Sequence, residues 1–327
     1  MEAGKIDPSE VRFFSGSSNE PLARRIANYL GVPLDPTKIS RFSNDNLFIQ
    51  LGASVRCRKV FIIQSLSPPA NEHLMELLMM LDIARGASAD EIHAVIPYFS
   101  YARSDKKDAP RISITARLVA ELLETAGATH AMCMMLHSPQ VHGFFGIPVD
   151  PLSSRPALEH HFRSRDLSDT IVISVDMGHA KSAARFARNL DLPVAAGDKE
   201  RVSDTEVVIN GIIGAPVRGR KRALIFDDEI ANGGSILTMS GLLIEQGIEE
   251  IWVACTHGVF TRGALARLSS VRQITEIVTT DTVFIPDDQR TDKLSIVSVA
   301  PTFGEAIRRN YMHQSIGSLF VYGEDRT

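Results

Sequence analysis

Short apolar runs recur along the chain at residues 60–64, 95–99, 132–136, 171–175, 224–226, 251–255 and 277–280, each closing on a polar or glycine-containing turn. Between them lie stretches with helical spacing. Leu22, Ile26 and Leu30 recur at i, i+4 and i+8, and Leu74, Leu77, Leu78 and Leu81 repeat every three or four residues, which lines one face of a helix. Continuous apolar runs alternating with helical stretches are the pattern of a parallel sheet joined by helical crossovers. The predicted fold class is therefore α/β, with doubly wound parallel sheets. Open parallel sheets bind ligands beyond the carboxyl ends of their strands, so the residues that follow each run are the candidates for chemistry.

The alternation holds to about residue 150, is interrupted by a loop-like stretch at 150–156 and resumes at 171–175. This predicts two tandem domains, 1–155 completed by 305–327, and 156–304. The length of 327 residues agrees, since domains commonly take about 100 to 200 residues. Apolar residues make up 44% and charged residues 23%, a composition that packs. The net charge of −4 supplies no basic field for a nucleic-acid backbone, so phosphate chemistry has to come from local groups. No apolar run approaches the roughly 18 residues of a membrane span, and the acidic start of the chain is unlike a signal peptide. A cytoplasmic protein, without membrane or nucleic-acid partners, is expected. Cys57, Cys133 and Cys255 form no C-x-x-C pair and are expected to be buried or semi-buried small residues.

The strongest local feature runs from Ala223 to Ser235: an apolar strand, the paired acids Asp227 and Asp228, then Ala231, Asn232, Gly233, Gly234 and Ser235. Two carboxylates at a strand tip accept hydrogen bonds from vicinal sugar hydroxyls. A glycine turn that opens a helix presents N–H groups to a phosphate.

With these residues the chain resembles the ribose 5-phosphate site of type I phosphoribosyltransferases and of ribose-phosphate pyrophosphokinases. The segments at 41–43, 61–65, 96–105, 136–137, 143–145, 198–201, 256–258 and 305–309 are similar to the pyrophosphokinase family in order and spacing. The resemblance implies two tandem type I phosphoribosyltransferase-like domains that transfer the diphosphate of ATP to ribose 5-phosphate, with Mg2+ as cofactor. It assigns ATP to Phe42, Asn44, Asn46, Arg103, Ser104, Asp108, Arg111 and His137, with Phe42 stacking on adenine. It assigns ribose 5-phosphate to Arg201, Asp227, Asp228 and residues 231–235, metal to His137 and Asp176, and catalysis to Lys199 and Arg201, in a loop after a short strand at 192–196. Two cations there offset the charge that builds on oxygens around an attacked phosphorus. Magnesium prefers oxygen ligands, so His137 is placed at the nucleotide or the metal's water shell. The family also implies a homo-oligomer, a hexamer built from dimers, with Ser54, Arg56, Ser315 and Phe320 at a regulatory junction.

Four positions depart from the family's usual pattern. Asn44 and Asn46 stand in place of an Asp and a Glu, Met135 in place of an Asp, and Ala231 in place of an acid. Asparagine still accepts from an adenine amino group. Two other readings follow from the same residues: a phosphoribosyltransferase, which does not require the segment 101–111, and a non-catalytic regulatory subunit, which does not require Lys199 and Arg201.

Overall fold

The computed structural model describes residues 5–201 and 207–320. By internal contacts the chain divides into two units: 1–153 with 282–284 and 299–327, and 154–281 with 285–298. The return to the first unit begins at 299, earlier than the expected 305.

The first unit runs β1 (Val11–Ser15), α1 (Glu20–Leu30), β2 (Thr37–Arg41), β3 (Leu47–Leu51), β4 (Lys59–Ile63), α2 (Ala70–Gly86), β5 (Glu91–Ile96), α3 (Thr115–Ala126), β6 (His130–Met134) and β7 (Val149–Leu152). The second runs α4 (Arg155–Arg163), β8 (Thr170–Ser174), α5 (Ala180–Asn189), β9 (Val194–Arg201), β10 (Val207–Gly214), β11 (Arg222–Ile230), α6 (Gly234–Glu245), β12 (Glu250–Gly258), α7 (Ala264–Ser270), β13 (Ile274–Thr280) and β14 (Leu294–Val297). The helix α8 (Ala300–Tyr311) then rejoins the first unit.

The first unit holds a five-stranded parallel sheet in the order β1-β4-β5-β6-β7 and a small antiparallel pair, β2-β3. Alternation along each strand loads both faces of the larger sheet. Val60, Ile62, Ala94 and Ile96 pack with Leu77 and Leu81 of α2 and Val119 and Leu123 of α3. Phe61, Ile63, Val95 and Met132 pack with Leu22 and Ile26 of α1 and Phe303 and Ile307 of α8. The second sheet follows the order β10-β9-β8-β11-β12-β13-β14, with only β10 antiparallel to its neighbour. Ile171, Ile225 and Val253 face α6 and α7, whereas Val172, Phe226 and Ala254 face α4 and α5. Each sheet is therefore doubly wound. Local signals set the helix ends: Asn19 accepts from the Leu22 N–H at 3.3 Å, and Gly31 closes α1 at φ 70°, a left-handed cap that glycine adopts without strain.

The stretch 150–156 is not a loop. It forms most of β7 and the start of α4, because Pro151 stands on an edge strand and Pro156 in a helix's first turn, two places that tolerate a missing N–H. Strand β5 ends at Ile96, since Pro97 opens a turn. Cys133 and Cys255 are buried as expected, but Cys57 is exposed, in a turn at φ 54°. No helix among the described residues is long and apolar enough to cross a membrane.

Candidate active site

In the second unit the parallel ladder aligns the ends of β8 and β11, with Ser174 opposite Phe226. The chain leaves β8 through Asp176. That residue's Oδ1 accepts the His179 N–H at 3.1 Å, and its carbonyl accepts the Ser174 hydroxyl at 2.8 Å, so His179 is fixed at the start of α5. Strand β11 continues through both acids. Asp228 is buried, at 2% exposure, and its N–H donates to Asp227 Oδ1 at 2.9 Å. Burial, above all, pushes the Asp227 carboxyl well above the ordinary carboxylate range, with the negative charge of Asp228 next and that of Asp176 adding to it. A ring nitrogen of His179 and one carboxylate oxygen from each of Asp227 and Asp228 lie within 4.8 Å of one another.

The turn after β11 is built for close approach. Asn232 Oδ1 accepts the Gly234 N–H at 3.0 Å, and Gly233 stands at φ 71°, where its missing side chain also leaves room for Leu268 and Ala264. Arg267 donates to the Asn232 carbonyl from α7. Helix α6 starts at Gly234, so Ser235 lies in its first turn, where backbone N–H groups lack intrahelical partners and the helix dipole favours an anion.

Lys199 and Arg201, expected in a loop, belong to β9, where Lys199 stands opposite Ile209 and Arg201 opposite Val207 of β10. The charged run 198–201 carries no strand pattern of its own, because its pairing partner β10 comes later in the chain and supplies the ladder. The side chains of Lys199 and Arg201 lie outside the described residues.

In the first unit the turn between β2 and β3 presents Phe42, 57% exposed and edge-on to Phe48 at 5.7 Å between centroids. The Phe42 N–H donates to the Asn46 carbonyl at 2.9 Å, and Asn44 Oδ1 accepts the Asn46 N–H at 3.3 Å. Arg41 braces the turn through Asp45 and Glu72. After β5, the Ser104 hydroxyl donates to the Ser113 carbonyl at 3.2 Å, while Arg103, Asp108 and Arg111 are exposed and Arg111 stands at φ 65°. His137 is exposed just past β6. Met135, by contrast, is core, with 5% exposure at φ 42°. His137 therefore belongs to the first unit, whereas Asp176 lies in the second, bonded to the His179 N–H. Ser54 and Arg56 are exposed. Ser315 accepts from Arg309 at 3.1 Å through its carbonyl, and Phe320 forms a bridge with Leu152.

His179 was missed by sequence reasoning, although a signal exists: it stands three residues beyond Asp176, just after an apolar run and at the start of a helix. His161 lies 3.0 Å from Glu276, which also pairs with Arg165.

Residues 11–127 match the N-terminal domain of ribose phosphate pyrophosphokinase, and residues 208–321 match the phosphoribosyl synthetase-associated domain. A putative ribose-phosphate pyrophosphokinase of Streptomyces coelicolor is 53% identical over 311 residues, which cover 95% of this chain and 98% of the relative. The ribose-phosphate pyrophosphokinase of Deinococcus radiodurans is 44% identical, over 96% of this chain and 98% of its own. The crystal structure of phosphoribosylpyrophosphate synthetase from Mycobacterium smegmatis superposes with a TM-score of 0.87 at 34% identity, covering 93% of this chain and 99% of that one.

Proposed function

The chain belongs to the ribose-phosphate pyrophosphokinase family, and from that premise we propose how its residues divide the work. The protein is a ribose-phosphate diphosphokinase of nucleotide biosynthesis: it moves the β,γ-diphosphate of ATP to the C1 hydroxyl of ribose 5-phosphate, giving phosphoribosyl pyrophosphate and AMP. The C1 oxygen bonds to the β-phosphorus as the bond from that phosphorus to the α,β-bridging oxygen breaks. That oxygen leaves with AMP, and the hydroxyl proton passes to solvent.

The observation that carries the residue assignment is the order of parts at the end of β11: paired carboxylates, then the Gly233 turn, then the start of α6. In our reading Asp227 and Asp228 accept from the ribose hydroxyls, and residues 231–235 hold the 5-phosphate with backbone N–H groups. The loss of an acid at Ala231 leaves both of these features intact. Phe42 stacks on adenine, with Asn44 and Asn46 at its polar edge, and Arg103, Ser104, Asp108, Arg111 and His137 hold the nucleotide. Lys199 and Arg201 meet the charge that builds on the transferring diphosphate, where fixed cations act more strongly on the transition state than on the ground state.

The Asp176 carboxylate just past β8 is an oxygen donor of the kind Mg2+ prefers, and we assign Mg2+ to this reaction, with Asp176 and His137 as its associated residues. Bound there, Mg2+ supplies charge neutralisation at the phosphates. We further propose a cytoplasmic enzyme assembled as a hexamer built from dimers, which light scattering at micromolar protein tests; an active monomer would be incompatible with it.

The residue assignment is tested by AMP release from ATP and ribose 5-phosphate beside ATP binding. Lys199→Ala is expected to lower turnover about a hundredfold or more while ATP affinity stays nearly constant. Unchanged turnover would remove Lys199 from catalysis.

A further inference from the structure

The imidazole that opens α5 has a buried atom with nothing to satisfy it. His179 Nε2 is sealed from solvent and has no hydrogen-bond partner. A buried polar atom of this kind calls for a water, an ion or a functional reason. The ring is held in place by its surroundings. Its backbone N–H is tied to Asp176 Oδ1 at 3.1 Å, and its centroid lies 6.2 Å from that of Phe226, itself buried in the sheet. The β8–β11 ladder then sets this turn beside Asp227 and Asp228, so that one nitrogen and two carboxylate oxygens from three residues converge within 4.8 Å.

Asp227 and Asp228 carry adjacent carboxyls at the end of β11, and a ring nitrogen of His179 lies within 4.8 Å of an oxygen of each. One divalent cation answers all three. We propose that His179, Asp227 and Asp228 form a divalent-cation site with one nitrogen and two oxygen donors, which takes Mn2+ or Co2+ in preference to Mg2+. The nitrogen sets the preference: imidazole suits first-row transition ions, whereas Mg2+ holds to oxygen and to its own waters. Asp176 acts as the positioning residue, since it fixes the backbone from which the imidazole projects. This deepens the ribose-site reading and rests on it only for the cation's use in turnover; the binding rests on the donor geometry alone.

The test uses the full chain without nucleotide or sugar. Mn2+ is titrated and followed by electron paramagnetic resonance, and nitrogen hyperfine coupling to the bound ion is recorded by pulsed methods. Wild type is expected to show a site with imidazole nitrogen coupling. His179→Ala should lose that coupling and weaken Mn2+ binding about tenfold or more, since even outer-sphere partners of a metal are worth that much. His160→Ala, which removes an exposed imidazole on α4, should keep both. Mg2+ should displace Mn2+ only at about tenfold higher concentration or more. Should His179→Ala unfold, His179→Asn replaces it, with the same coupling as readout. Wild type without nitrogen coupling, or His179→Ala with unchanged Mn2+ affinity, overturns the site. AMP release with Mg2+ is read separately, so an active wild type lacking the coupling refutes this site and leaves the diphosphokinase reading intact, and an inactive wild type showing it does the reverse.

Discussion

At the amino ends of the first sheet, Lys59, Glu91, His93, His130 and Asp150 alternate in charge and in donor character. At the carboxyl end of β11 in the second, two carboxylates sit side by side within 4.8 Å of a ring nitrogen of His179. In the first cluster Lys59 pairs with Glu91, His93 Nε2 lies 3.1 Å from Glu91, and His93 Nδ1 lies 3.0 Å from His130 Nδ1. Burial lowers the His93 pKa, so its ring is neutral and its single proton goes to Glu91. His130 must then donate from Nδ1. Its Nε2 lies 3.0 Å from Asp150 Oδ2. Nearly every group in that cluster is satisfied within the protein. The second cluster brings two carboxylates and an imidazole within 4.8 Å at the end of the sheet where ligands arrive. The difference follows the fold: ligands reach an open parallel sheet at its carboxyl ends, so electrostatic conflict is kept there, and the amino ends are free to be stabilised.

The sharpest way to break the comparison is Asp228→Asn. If the paired acids serve ligands and not the fold, turnover should fall about a hundredfold or more, roughly 3 kcal/mol in the barrier. The unfolding temperature in metal-free buffer should hold or rise, because a buried like-charge contact is removed. A variant that unfolds earlier would place Asp228 among the stabilising groups and erase the contrast.

The opposite substitution is His93→Ala. His93 is 2% exposed and stacks on Phe61 at 4.3 Å. Its loss opens a cavity and strands Glu91 and His130, at a cost of about 2 to 4 kcal/mol. Denaturant midpoints should drop accordingly, while turnover per folded molecule stays close to wild type. A loss of turnover at unchanged stability would show that the amino-end cluster is coupled to catalysis.

The two clusters were unequally legible in the sequence. Asp227 and Asp228 stood out because they interrupt an apolar strand just before a glycine turn, a local pattern. The chain Glu91, His93, His130, Asp150 was invisible, because its members come from three strands and meet only through the ladder's register. The same reason hid β10 as the partner of the charged stretch at Lys199, and hid His179 as a neighbour of acids some fifty residues away. Core strands and amphipathic helices were readable because period and burial are local properties. The edge strands β1, β7 and β14 were not, since short edge segments carry little pattern of their own.

The smallest effect discriminates most finely, and it concerns Glu91. Its hydrogen bond from His93, and then Lys59, outweigh partial burial and hold its pKa at about 2 against an ordinary 4.5. Between those values the unfolded chain binds more protons than the folded one, so stability rises with pH across that window. The contribution is complete above about 4.5 and is lost as pH falls toward 2. The Glu91 side chain is 37% exposed, so solvent screens the pair and the expected contribution is below about 1 kcal/mol. Glu91→Gln keeps an acceptor for His93 and removes only the charge. Its denaturant midpoint should lie slightly below wild type at pH 7, and the gap should narrow steadily as pH is lowered from 5 toward 3. A gap that stayed constant over that range would mean that Glu91 acts through shape and hydrogen bonding alone. The amino-end cluster would then owe its stability to packing around His93, and charge alternation would not be what separates it from the acids of β11.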